Sequence, residues 1–134
     1  MRLNGQPKEN YAGLLPKKGW PRRNYRFLRH QIVPGIFKRR DGESLRPELE
    51  PPNPGEVAVT WIGHATFLLQ FAGTNVVVDP NWALWHGIVK RSKLPGVPLD
   101  HLPPIDLILV THAHFDHLHK KSLRILDARH VIIV

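Results

Sequence analysis

Residues 111 to 119 read Thr-His-Ala-His-Phe-Asp-His-Leu-His and hold four of the chain's nine histidines. In an extended segment side chains alternate, so His112 and His114 point the same way. Asp116 and His117 are neighbours in a turn and diverge toward a second centre. Two imidazoles and an Asp/His pair make half-shells for two metal ions about 3.5–4 Å apart. Histidine, aspartate and water suit Zn, and also Mn or Fe. At this chain's own His and Asp frequencies, H-x-H-x-D-H is expected by chance about 0.002 times. The bland alternative is a surface turn whose histidines only cap the helix that follows.

These side chains need a rigid support. Ile105-Asp106-Leu107-Ile108-Leu109-Val110 is a near-continuous apolar run, the pattern of a strand buried on both faces, and the histidines begin directly after it. Open α/β sheets place ligands at that carboxyl end. Upstream, Val57, Val59 and Trp61 alternate with Ala58 and Thr60, which is strand periodicity. Phe67, Leu69 and Phe71 alternate again, then Ala72-Gly73-Thr74-Asn75 turns into Val76-Val77-Val78. This predicts a β-meander broken at Gly63-His64 and ended by Asp79-Pro80. Residues 81–104 form a long connection, a length that usually signals function or disorder. In it, Trp82, Leu84, Trp85, Ile88 and Val89 suggest a helical turn or a covering flap. Trp82, Trp85 and His86 line a substrate cleft or pack in the core. Past the motif, Leu118, Leu123 and Leu126 mark one face of a short helix. His130 then leads into Val131-Ile132-Ile133-Val134, read as a second buried strand, with His130 at the end away from the histidine cluster.

Residues 1–55 have a different character. Eight of the thirteen prolines lie there, along with 12 Lys/Arg against 5 Asp/Glu. Residues 56–134 form the organised part, so the chain divides into a basic, proline-rich, irregular arm and a folded domain. A short basic amphipathic helix is expected near Asn24 to Phe37, interrupted at Pro34. Such an arm suits an anionic membrane surface or a nucleic acid, although aromatic interleaving is too sparse to favour nucleic acid. The alternative is a solvated arm. The length, 134 residues, allows one domain, and the absence of cysteine rules out disulfides and thiolate metal sites. The opening residues lack the apolar core of a secretory signal, and no apolar run approaches a membrane span. These features favour a cytoplasmic protein, with peripheral membrane contact through the arm as an option.

His112-Ala113-His114-Phe115-Asp116-His117 resembles the signature of the metallo-β-lactamase fold superfamily. Val59-Thr60-Trp61-Ile62-Gly63-His64-Ala65-Thr66, then Val78-Asp79-Pro80, then Leu102-Pro103-Pro104-Ile105-Asp106 follow the order of one branch. That branch contains N-acyl-phosphatidylethanolamine-hydrolysing phospholipase D enzymes and ascorbate-6-phosphate lactonase-like proteins. The likeness covers residues 56–134 and implies an α/β fold. The chain would form the N-terminal half of an αβ/βα sandwich, a mixed sheet with flanking helices. It assigns His112 and His114 to a first metal ion, and Asp116 and His117 to a second. Two Zn ions are implied, with Mn or Fe as alternatives. Asp79 would hydrogen-bond a ligand imidazole or simply cap its strand end. His64 would face the site or be a hydrogen-bonded buried histidine. His119 would touch substrate or be an ordinary residue in the first helical turn.

The resemblance further implies a hydrolase in which a metal-bridged hydroxide attacks a phosphodiester, ester or lactone, with Asp116 both ligating and orienting the nucleophile. An anionic or lipid-like small molecule fits the basic arm and the Lys90-Arg91-Ser92-Lys93 stretch. The family's later ligands have no counterpart within these residues, so the chain is expected to carry part of the metal site and to be a fragment of a longer enzyme. The competing expectations are an inactive remnant and a non-catalytic basic module that binds anionic lipid or nucleic acid.

Overall fold

A computed structural model describes residues 20–134; the first nineteen residues of the arm lie outside the described part. A five-stranded mixed sheet forms the centre, in the order β1 (Val57–Gly63), β2 (Thr66–Phe71), β3 (Thr74–Val78), β6 (Leu107–Val110) and β7 (His130–Ile133). The first three strands are antiparallel, and β3, β6 and β7 run parallel. The meander follows from the alternation in the sequence and from tight turns: Ala72 and Gly73 both adopt positive φ between β2 and β3. A helix, α3 (Lys120–Leu126), carries the chain from β6 to β7, as parallel strands need a crossover connection.

Alternation divides the sheet into two unlike faces. One face presents Ile62, Leu68, Val77, Ile108 and Val110, all buried, to Val97 and Ile105 from the connections. Leu118, Leu123 and Leu126 of the α3 region and the half-buried Trp82 complete this core. The other face carries Val57, Val59 and Trp61, which remain exposed. Within these residues β7 pairs with β6, and Val131, Ile132 and Ile133 are exposed. His130 opposes Leu107 at the start of β6, the end remote from the histidine cluster, as read from the sequence.

The basic arm is more ordered than its prolines suggest. α1 (Trp20–Phe27) runs through a wide π turn (Leu28–Ile32) into α2 (Val33–Phe37). The expected break at Pro34 does not occur. Pro34 sits in the first turn of α2, where its missing N–H costs nothing. Val33 N–H reaches back to the Leu28 carbonyl, the wide spacing of the π turn. Residues 38–50 then run alongside residues 92–100. Leu45 N–H donates to Gly96 O (2.7 Å), Ser44 Oγ to Pro95 O (2.6 Å), and Arg46 pairs with Asp100 (2.9 Å). Leu49 packs on the core.

The flap in the long connection is a small hairpin, β4 (Trp85–His86) with β5 (Val89–Lys90), rather than a helical turn. Among the described residues no helix is long and apolar enough to cross a membrane.

The two sheet faces should respond differently to truncation. Leu68→Ala on the buried face is expected to cost about 2–5 kcal/mol in urea denaturation, while Val59→Ala on the open face should shift stability by about 0.5 kcal/mol or less. Equal losses at both positions would show that the open face is covered in solution.

Candidate metal centre

Asp79 and Thr111 stand at the ends of adjacent parallel strands, where the pairing of Val78 with Leu109 sets them side by side. Asp79 is buried and adopts positive φ, 46°, turning its carboxylate back across the end of β6. Thr66 Oγ donates to the Asp79 carbonyl at 2.7 Å and supports that turn. The carboxylate takes three donors. Thr111 N–H reaches Oδ1 at 2.8 Å, while Thr111 Oγ and His117 Nδ1 both reach Oδ2 at 2.7 Å. Burial alone would raise the carboxyl's pKa. The hydrogen bonds from His117 and Thr111 outweigh it and hold Asp79 below the ordinary aspartate value. Asp79 thus hydrogen-bonds an imidazole of the histidine motif as well as the end of β6.

This network also orients the rings. An ionised carboxylate only accepts, so His117 Nδ1 carries a proton, and in the neutral ring Nε2 keeps the lone pair. The single Thr111 hydroxyl proton goes to Asp79, so Thr111 Oγ must accept from His112 Nδ1, 3.0 Å away. His112 Nε2 is then also free to ligate. One buried carboxylate orients two imidazoles, one directly and one through a hydroxyl.

The motif's rings converge. The His112 and His117 centroids lie 3.9 Å apart, and His112 and His114 meet edge-on at 4.6 Å. His117 Nε2 is 3.8 Å from Asp116 Oδ2, which in turn lies 3.0 Å from His64 Nε2. The ligand atoms of His64, Asp116 and His117 all fall within 4.8 Å of one another, so His64 faces the centre. It sits in the β1–β2 turn at φ 54°, a conformation found disproportionately at functional sites. As arranged, His64 Nε2–H donates to Asp116; with the proton on Nδ1 the same nitrogen offers a lone pair. Burial pulls the Asp116 carboxyl upward, but its own main-chain N–H, the His64 hydrogen bond and the charge of His117 hold it below the usual value. His64, Asp116 and His117, with the His112 and His114 rings beside them, offer imidazole and carboxylate donors of the types that fit a divalent metal ion.

His119 takes the helical role. Its Nδ1 accepts from the Ser122 hydroxyl (2.7 Å) and main-chain N–H (3.3 Å), which makes it the N-cap of α3. Burial, with help from His86 and Lys121, lowers its pKa and favours the neutral ring such a cap requires.

A cleft of about 520 Å³ opens beside the centre, lined by Trp61, His64, His86, Arg91, Phe115 and Asp116 among others. Asn81 builds its inner wall. It is buried, and its Nδ2 donates to the Asp116 carbonyl (2.6 Å) and to His86 Nε2 (3.0 Å). Its own carbonyl accepts from Arg91 Nη1 (2.7 Å). His86 therefore presents Nδ1–H, and burial, with Arg91 and His64, lowers its pKa against the opposing charge of Asp116.

Sequence reasoning passed over Asn81 and gave His86 no definite place, because their partners are distant in the chain. It also overestimated the free cations: Lys90 Nζ caps the carbonyls of Ile36 (2.8 Å) and Lys38 (2.6 Å), and Arg91 is tied to main-chain oxygens. Trp82 packs on the core and donates its indole N–H to Val97 O, whereas Trp85 stays exposed with Arg40 and Lys90 both 5.7 Å from its ring.

The profile described as "Beta-lactamase superfamily domain" matches residues 58–132. The chain is 37% identical over 70 residues to "N-acyl-phosphatidylethanolamine-hydrolyzing phospholipase D 1" of Caenorhabditis elegans, covering 48% of this chain and 20% of that one. It is 45% identical over 60 residues to "UPF0173 metal-dependent hydrolase MK1542" of Methanopyrus kandleri, covering 45% of this chain and 23% of that one. Among solved structures it partly overlaps CmlA, a diiron beta-hydroxylase from Streptomyces venezuelae, with TM-score 0.44, 28% identity and coverage of 61% of this chain and 16% of that one. The matched region spans about a fifth of the length of these curated relatives.

Asp79→Asn is expected to release the His117 tautomer and to weaken Zn²⁺ affinity about 10- to 100-fold. ¹⁵N chemical shifts of the His117 ring, recorded without metal, check the first effect, and calorimetric titration checks the second. Unchanged ring shifts would remove Asp79 from the positioning role.

Proposed function

This chain belongs to the beta-lactamase superfamily, and from that premise we propose that it supplies metal-binding residues of a hydrolase that cleaves a phosphodiester or another ester or lactone. The observation that carries the proposal is the convergence of His117 Nε2, Asp116 Oδ2 and His64 Nε2, with the His117 proton held on the far side of the ring by Asp79. His112 and His114 supply a second pair of imidazoles beside them. Divalent metal ions bound there, Zn first and Mn or Fe as alternatives, would acidify a water and polarise the electrophile.

The chain's own residues do the rest. Asp79 and Thr111 fix which nitrogen of His117 and His112 carries the proton, so the rings meet a cation as neutral ligands. Asp116 holds its charge below the ordinary carboxylate range and, through its hydrogen bond with His64, holds an acceptor oxygen at the cleft wall. His86 Nδ1–H offers a donor to a substrate oxygen in the cleft. Trp61 and Phe115 add apolar walls, which suits a substrate that pairs a polar scissile group with an apolar body. Lys93 also lines the cleft, favouring an anionic group, though with less positive charge than the Lys90–Lys93 run suggests. The relatives named as a phospholipase and as metal-dependent hydrolases support this choice of chemistry.

Titration with Zn²⁺ and Mn²⁺ tests the metal centre directly. The wild-type chain is expected to bind, and His112→Ala and His117→Ala each to weaken binding, with far-UV circular dichroism confirming retained structure. Hydrolysis of bis(p-nitrophenyl) phosphate and p-nitrophenyl acetate should require added metal and fall to background with EDTA or Asp116→Ala. Metal affinity indifferent to both histidines, or turnover that survives EDTA and Asp116→Ala, would sink the proposal.

A further inference from the structure

The arm joins the domain at the cleft's rim. Lys90 of β5 caps the end of α2, and Arg40 donates to the Leu84 carbonyl (3.3 Å) just before β4. The β4–β5 hairpin that receives the arm also lines the cleft through His86, Val89 and Lys90. The helical stretch Trp20–Phe37 is thus fixed beside the entrance by its C-terminal end, with Ile32 buried.

Most of its described side chains stay in solvent. Arg22, Arg26 and Arg29 recur at i, i+4 and i+7, so they line one stripe. Tyr25, Phe27 and Leu28 lie off that stripe, exposed by 61%, 55% and 42%, and Phe37 at the end of α2 is 82% exposed. Between Asn10 and Arg40 the sequence has nine Lys/Arg and no Asp or Glu. Cationic side chains along an uncovered aromatic and aliphatic surface, with no acidic residue among them, are complementary to an anionic bilayer surface. The guanidinium groups reach phosphates while the apolar side chains enter the acyl boundary. Nucleic acid would use the charge but leave the aliphatic residues wet.

We propose that Trp20–Phe37 is an interfacial helix that seats the cleft rim on an anionic lipid surface. The contact is independent of metal and so stands apart from the catalytic proposal. Co-sedimentation with phosphatidylcholine vesicles, with and without phosphatidylglycerol, tests it in the full chain. Binding is expected only with phosphatidylglycerol and should fall as salt shortens the screening length. It should drop about 100-fold when Arg22, Arg26 and Arg29 are all changed to Gln, at about fivefold per charge. Phe27→Ser should weaken it with the charges intact, and neither EDTA nor Asp116→Ala should matter. Circular dichroism checks that each variant keeps its fold. No binding to anionic vesicles, equal binding to neutral ones, indifference to Phe27→Ser, or tighter binding of a labelled single-stranded oligonucleotide at the same salt would each overturn the assignment.

Discussion

The arrangement depends on the buried carboxylate of Asp79. A charge in that position is tolerable only because three donors converge on it, two from Thr111 and one from His117. The same three bonds tie the end of β3 to the end of β6, and they dictate the proton positions on two imidazoles. One set of bonds both satisfies the buried charge and orients the two rings. The meander, the parallel pairing of β3 with β6 and the left-handed turn at Asp79 are what bring the groups within reach.

A second layer surrounds this anchor. Cations that looked available for substrate instead hold main-chain oxygens, which makes the hairpin and the extended segment 38–50 parts of the cleft wall rather than loose decoration. The two faces of the sheet are equally divided in purpose: one is filled by α3 and the long connection, while the other displays Val57, Val59 and Trp61.

Local periodicity made much of this legible. The meander follows from strict alternation, and the histidine cluster from a spacing too improbable to be accidental. Asp79 was suspect because it closes a strand. For His119 the sequence offered a place in the first helical turn, and the structure makes it the N-cap of α3. Other features needed coordinates. Nothing in the alternation of β1 tells which of its faces is buried, because Ala58 and Thr60 alternate with residues more apolar than themselves. The pairing of His64 with Asp116 spans 52 residues and has no local signature. Pro34 was misjudged because a proline in the first turn of a helix loses no hydrogen bond, and only the preceding wide turn shows where that turn begins.

Asn81 carries a consequence of a mechanical kind. Its side-chain amide grips the main chain after Phe115 and the ring of His86, and its carbonyl grips Arg91. Loop and hairpin are therefore geared together, with one buried residue as the axle. A displacement of the hairpin, from whatever touches the arm packed on it, strains the same amide that seats Asp116. The entrance and the centre of the cleft cannot change shape independently.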